Sequence, residues 1–599
     1  MNTAKKSSTG KVLIIALVIT ILFSLLNWGI VSGWGDVKIT QLSLVGDDGS
    51  NYTALMYVPK AASNENKVPA LLSLHGASGN GRNHEQYALE YARRGFIVIS
   101  PDSFGSGDGT YKQGMVDTWK INAAELYWKY MVECPMVDTT RTVVNGHSIG
   151  STGTLHLAAK YNPTVAIPID GFMGVYPSKD ELHYTGMICA ITGDADAQNV
   201  DKYLTPLKGL FELDPAIKID GDMPEFNKLY GSFEAKNAKV LYLTPHGHED
   251  AMNSHKGLEV QLDFVQKAMT VPNPIPGSDQ IWQWKDVFGQ LGMFSFAFTL
   301  VAFAVYLMER NAFFAGVKQP LPRNIGLRKV GLAISVVCAI VFPLIVLKTG
   351  SFGLRTLTDG NAISLFTMGR ANRAFSVVIG LSILGLLTFI LFLFTDGKKQ
   401  NAKLVDYGMT SAGSTKLDWK LIGKSALLAF VVLAAGFAYL RLQRQVLGTD
   451  FYCLYWGYKP IAWNKFIYMV PYIIVWCICF IMAGVGMNIE RRLPDTGNEK
   501  KDMAIACVVN VVLAILTISV VLLIQLHLQR HVLFRTATSM STWKADLTRL
   551  WGMPAGVAVG TFINTYLYRK SGSIWPGVFL GGALCALGCV LYGGHGLYG

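Results

Sequence analysis

A chain of 599 residues is too long for one hydrophobic core, so two or more domains are expected. It is 51% hydrophobic and only 16% charged, whereas an average soluble protein carries about a quarter charged residues. The net charge of +12 does not imply nucleic-acid binding: the basic residues fall mainly in loops between apolar runs, as membrane proteins place them, and no zinc-finger, RRM-like or basic-helix pattern occurs.

Residues 1–11 are polar and basic, with Lys5, Lys6 and Lys11, and residues 12–32 are continuously apolar. That run exceeds the roughly 7–15 apolar residues of a signal peptide, and no small-residue cleavage site follows. Residues 1–35 therefore read as a cytoplasmic tail and an uncleaved transmembrane anchor. Residues 36–275 look like a globular domain. Strand-like runs occur at 52–59, 68–74, 96–100, 141–145, 165–169, 186–192 and 239–244. Helix-like stretches lie near 84–94, 113–133, 150–160 and 255–269. Strands alternating with helices predict a doubly wound, mostly parallel sheet. The longer insert 197–237 is a candidate lid.

Residues 276–599 form the third region. Apolar runs at 283–307, 327–347, 375–394, 421–440, 466–487, 504–526, 553–568 and 574–594 predict an all-α, multi-pass domain of about eight helices. The run at 553–568 is the shortest. With a cytoplasmic N-terminus, loops 309–326, 396–419, 488–502 and 569–572 are cytoplasmic, and the globular domain lies on the other side. The opposite loops are also basic, so the charge bias is modest. A bacterial plasma membrane suits this layout.

The sharpest chemical signal is Gly146-His147-Ser148-Ile149-Gly150, between the strand-like RTVVN and the helix-like STGTLHLAAKY. G-x-S-x-G needs that context, because a strand turning sharply into a helix presents the serine hydroxyl above the sheet. A serine hydroxyl is a weak nucleophile without a base. After Ser148, the run 186–192 leads into Gly193-Asp194-Ala195-Asp196. The run 239–244 leads into Pro245-His246-Gly247-His248. Ser, acid and His thus follow one another in the order this type of turn uses.

With the His75-Gly76 turn, the G-H-S-x-G elbow, the G-x-x-D turn and a late Gly-His, residues 40–270 resemble the α/β-hydrolase family, near its dienelactone-hydrolase-like and lipase-like serine esterases. The resemblance implies Ser148 as nucleophile, His248 as base and Asp196 as acid. Asp194 is the alternative acid, whose plain role is to cap a turn. His246 is the alternative base, whose plain role is that of a surface-loop histidine. Asp170, after another strand, is a weaker acid candidate. The backbone N–H groups of Ile149 and Ala77 are the expected oxyanion donors.

Phe104-Gly105-Ser106-Gly107-Asp108-Gly109 lacks the lysine of a phosphate loop and reads as a turn. No metal-binding motif and no cofactor motif occur, so neither is expected. Cys134 and Cys189 are candidates for a disulfide that spacing alone does not decide. Within the apolar runs, Asn510 and Asn564 are the main polar residues, and helix–helix hydrogen bonding is their plain role. Arg441, Arg444, Phe451, Tyr452, Tyr455, Trp456, Tyr458, Lys459 and Trp463, with Trp543, Lys544, Arg549 and Trp551, form either an interfacial belt or a surface attracting anionic lipid.

These features point to a membrane-bound serine hydrolase acting on, or transferring, an acyl ester. Its expected partners are membrane lipids and an ester that is lipid-like or anionic. Two other readings use the same residues: a serine peptidase, and a transporter or scaffold whose globular domain only binds.

Overall fold

The computed structural model describes residues 3–77, 79–110, 121–171, 184–194, 207–359, 365–453, 456–531, 550 and 552–591. The chain divides into two compact units. One contains residues 26–286 with 523–549 and 592–599, and the other contains residues 1–25, 287–522 and 550–591.

In the first unit, strands β1 (Val37–Val45), β2 (Asn51–Pro59), β3 (Val68–Leu74), β4 (Ile97–Pro101), β5 (Val137–His147), β6 (Val165–Ile169), β7 (Met187–Gly193), β8 (Leu229–Tyr230) and β9 (Lys239–Thr244) form one sheet. Their order is β1-β2-β4-β3-β5-β6-β7-β9-β8. From β4 across to β9 every neighbour is parallel. Parallel strands are covered on both faces and so read as unbroken apolar runs. Accordingly β3, β6 and β7 are buried at every position.

Helices α2 (Glu85–Arg93), α3 (Ile121–Glu133), α4 (Ile149–Tyr161) and α5 (His255–Ala268) supply that cover. His156 and Glu125 join α4 to α3 at 2.6 Å, and the Tyr91 hydroxyl joins α2 to Gln261 of α5. Two strands lie outside the sequence expectation. β1 pairs only with β2 at the sheet edge, and its half-exposed alternation lacks the apolar density of the central strands. β8 is two residues long and exists through its pairing with β9.

The described part of the 197–237 insert, residues 207–237, does not hang free. Leu207, Leu210, Phe211, Ile217 and Ile219 are buried in the domain core. Residues 197–206 lie outside the described residues. Cys134 and Cys189 are both free thiols, and burial pushes the Cys189 thiol up.

The N-terminal run is one helix, α1 (Thr3–Ser32). The second unit continues with α6 (Trp282–Arg310), α7 (Lys329–Asp359), α8 (Gly369–Phe392), α9 (Trp419–Leu447), α10 (Trp463–Val485), α11 (Glu499–His531), α12 (Met553–Ser571) and α13 (Trp575–Val590). Among the described residues, seven helices are long and apolar enough to cross a membrane, α1 and α6–α11. The last two expected spans are helices too, but α13 has only 16 residues and is buried almost throughout. Its glycines allow this. A Cβ on Gly588 would sit 2.1 Å from the Trp456 indole nitrogen, and one on Gly577 would sit 2.7 Å from the Asn564 backbone.

Trp456 belongs to a short hairpin, β10 (Phe451–Cys453) and β11 (Trp456–Tyr458). Phe451, Tyr452, Trp456, Tyr458 and Lys459 are all buried, and Arg444 is paired with Asp450. Of the arginine–aromatic group described in this loop, only Arg441 and Trp463 are well exposed. Tyr455, Trp543, Lys544, Arg549 and Trp551 lie outside the described residues.

Asn510 and Asn564 do bond between helices. Asn488 Nδ2 donates to Asn564 Oδ1 at 2.7 Å, and Asn510 Nδ2 donates to Thr565 Oγ1 at 3.1 Å. Bonds of this kind hold apolar helices together where lipid offers no alternative partner. Asn488→Ala is expected to cost about 1 kcal/mol, read as a lower Tm of the detergent-solubilised protein. An unchanged Tm would show that the bond adds nothing net.

Candidate functional site

β5 runs directly into α4, and Ser148 is the hinge. Its φ of 55° and ψ of −121° lie where only glycine is comfortable. The flanking glycines make the turn possible. A Cβ on Gly146 would meet the Gly150 carbonyl at 2.2 Å, and one on Gly150 would meet the Leu74 carbonyl at 2.2 Å. The Ser148 N–H donates to the Ile169 carbonyl at 2.8 Å, which locks the hinge to β6.

His248 opens the 3-10 turn that follows β9, and its Nε2 lies 2.9 Å from Ser148 Oγ. A serine O–H donating to Nε2 leaves the ring proton on Nδ1. The turn is held at two points. Gly247 N–H donates to Asp250 Oδ1 at 2.7 Å, and His147 Nε2–H donates to the His248 carbonyl at 2.7 Å. His147 is the variable residue of G-x-S-x-G, and nothing in the sequence marks it for this task.

The other candidates fall into place differently. His246 is not a surface-loop histidine: it is 1% exposed, and both ring nitrogens are engaged. Nε2 lies 2.7 Å from Asp170 Oδ2 and Nδ1 lies 2.9 Å from Thr244 Oγ1. Its partner Asp170 ends β6 with a positive φ of 48°, and its Oδ1 accepts from the Gly193 N–H at 2.9 Å. The Tyr87 phenol is pushed up, first by burial and then by the Asp170 charge.

Asp194 lies in the turn after β7, tied to β9 by its N–H on the Thr244 carbonyl at 2.9 Å. Asp196 lies outside the described residues. Of the expected donors, Ile149 is the first residue of α4, where N–H groups have no intrahelical acceptor. Ala77 follows Gly76, and a Cβ on Gly76 would be 2.8 Å from the His147 ring, so this turn abuts the elbow.

His147, Asp170 and His248 each bring one potential ligand atom within 4.8 Å of the others. The His147 Nε2 proton is committed to a carbonyl, however, and His248 Nε2 faces a hydroxyl. The grouping is thus already a hydrogen-bonded one, and it brings an Asp170 oxygen close to the His248 ring. Such a constellation can deprotonate a serine hydroxyl and return the proton to a leaving group.

Solved structures with similar coordinates include an α/β hydrolase, GrgF, from Penicillium sp. sh18 (13% identity, TM-score 0.30), matched over 39% of this chain and 99% of that one. An acetyl xylan esterase from Paenibacillus sp. R4 (17% identity, TM-score 0.30) is matched over 39% of this chain and 85% of that one. A ferulic acid esterase (14% identity, TM-score 0.28) is matched over 39% and 99%. No family model matches the sequence, and no curated protein does. The sheet order, the elbow after β5 and the histidine after β9 define an α/β-hydrolase fold, joined in this chain to a helical region with several membrane-length helices.

Strain at the elbow is testable. Ser148→Gly should unfold later than Ser148→Ala, because only glycine relieves a positive φ; the expected gain is ~1 kcal/mol after glycine's extra unfolded-state entropy. Equal unfolding midpoints would show that the hinge stores no strain.

Proposed function

We propose that the protein is a membrane-bound serine hydrolase that cleaves or transfers an acyl ester. The observation that carries this reading is the 2.9 Å approach of His248 Nε2 to Ser148 Oγ at a strained elbow. His248 takes the Ser148 proton as the oxygen attacks the ester carbonyl. It then gives that proton to the departing alcohol, leaving an acyl-serine. Water, or a second alcohol, attacks the acyl-serine with His248 again as base, and Ser148 is restored. The N–H groups of Ile149 and Ala77 take the oxyanion.

The acid orients His248 through its Nδ1 proton. Asp196 fills this role in the proposal, with Asp194, in the turn after β7, as the alternative. Asp170 supports the pair from β6, with an oxygen within 4.8 Å of a His248 ring nitrogen. An ester drawn from membrane lipid suits a hydrolase carried on a chain with several membrane-length helices.

A fluorophosphonate probe should label wild-type protein at Ser148, fail with Ser148→Ala and label His248→Ala far more slowly. No labelling of folded wild-type protein would end the hydrolase reading. Asp196→Asn is expected to lower kcat on a small soluble ester by a factor on the order of 10³–10⁴, as loss of the orienting acid does elsewhere. A loss of that size in Asp170→Asn, with Asp196→Asn near wild type, would move the acid to β6.

A further inference from the structure

α10 does not end as a regular helix. Residues 486–490 form a wider π turn, and the Arg491 N–H donates to the Gly486 carbonyl, five residues back, at 3.1 Å. Turns of this kind re-aim the residues that follow and occur often at functional sites. Here the Arg491 guanidinium lies back over Gly486, its nitrogens 3.6 and 3.8 Å from where a Cβ would stand. An arginine at the end of a membrane helix ordinarily extends outward to water. This one instead lines a cavity of about 180 Å³ bounded by α7, α8, α10, α11 and α12.

The cavity is otherwise apolar, with Phe342, Leu381, Phe480, Met482, Leu513 and Ile518 among its walls. Among the described residues that line it, Arg491 is the one that carries a charge. The neighbouring basic side chains are matched: Arg492 and Arg569 both reach Asp495, at 2.9 and 3.2 Å, and Arg323 reaches Asp406 at 2.8 Å. Arg491 is not. Its Nε is buried with no hydrogen-bond partner. Glu490, the preceding residue, acts on it through space. A guanidinium in an apolar cavity without a hydrogen-bonded counter-charge is costly, and its fork of donors matches one carboxylate. Two of the bounding helices, α7 and α8, expose Ile334, Val337, Val341, Ile383, Leu386 and Leu387 outward, a surface suited to bilayer hydrocarbon.

We propose that this cavity binds the carboxylate end of a single long-chain acyl anion. Arg491 holds both carboxylate oxygens, the first methylenes lie along the apolar walls, and the rest of the chain passes towards the bilayer. An engineered cavity of about 150 Å³ admits benzene, so this volume takes one head and the start of one chain, not a two-chain phospholipid. The site needs no catalysis and does not rest on the hydrolase reading.

The test uses full-length protein carrying Ser148→Ala, purified in a neutral detergent, with hexadecanoate binding followed by native mass spectrometry. Hexadecanoate should bind once per chain, and hexadecanol should not compete. Arg491→Gln should weaken binding by roughly 10- to 100-fold, the loss of a charge-assisted hydrogen-bonded pair, and Arg491→Lys should recover part of it. Ala339→Phe, which keeps the charge and fills the cavity wall, should weaken binding as well. Parent-like binding by both Arg491→Gln and Ala339→Phe would overturn the proposal, as would equal competition by hexadecanol. Displacement by phosphatidylglycerol at lower concentration than by hexadecanoate would overturn it in favour of a phospholipid site.

Discussion

The hydrolase unit depends on one tight reversal, where β5 becomes α4 at Ser148. The reversal brings three strands' worth of backbone within van der Waals limits. Gly146 faces the Gly150 carbonyl, Gly150 faces the Leu74 carbonyl, and Ser148 is bonded to Ile169. A side chain at Gly146 would push β5 from α4, and one at Gly150 would push α4 from β3. Because the central strands are parallel, their carboxyl ends share one edge, so the loops after β3, β6, β7 and β9 all converge on this hinge.

Around the hinge the polar groups form two levels. Above lies the Ser148–His248 contact, with its histidine loop pinned by His147. Beneath lies a buried pair, Asp170 and His246, which ties the end of β6 to the end of β9 and, through the Gly193 N–H, to β7. The low dielectric of the interior makes such satisfied networks rigid. The lower pair thus fixes the strand ends from which the upper groups are suspended, and its own histidine has no nitrogen left for a substrate.

The helical unit solves a different problem, since lipid gives no hydrophobic force between helices. Small residues and bonded asparagines do the joining. α13 nestles against α12 and Trp456 through its glycines, and Asn488, Asn510, Asn564 and Thr565 bond across three elements. Several of its arginines find acids: Arg323 reaches Asp406, Arg444 reaches Asp450, and Arg492 and Arg569 both reach Asp495. Arg491, which follows a π turn, instead lines an apolar cavity.

Much of this architecture is legible in the amino-acid sequence. Unbroken apolar runs such as VPALLSL and MICAITG mark buried parallel strands, because both of their faces must be covered. Runs of about 20 apolar residues mark membrane-length helices, because length and composition alone decide that property. G-x-S-x-G marks the elbow, because only glycines fit on either side of it. Other features have no local signature. β1 and β8 take their form from a neighbouring strand, residues 207–219 bring apolar side chains into the core, and Phe451, Tyr452, Trp456 and Tyr458 are buried. Of two histidines separated by a single glycine, the family resemblance favours His248 as base, but the residues themselves do not show what His246 meets. Tertiary structure alone gave His246 a buried aspartate and set the distance of His248 to Ser148, because which partner each ring meets depends on segments that lie 76 and 100 residues apart in the chain.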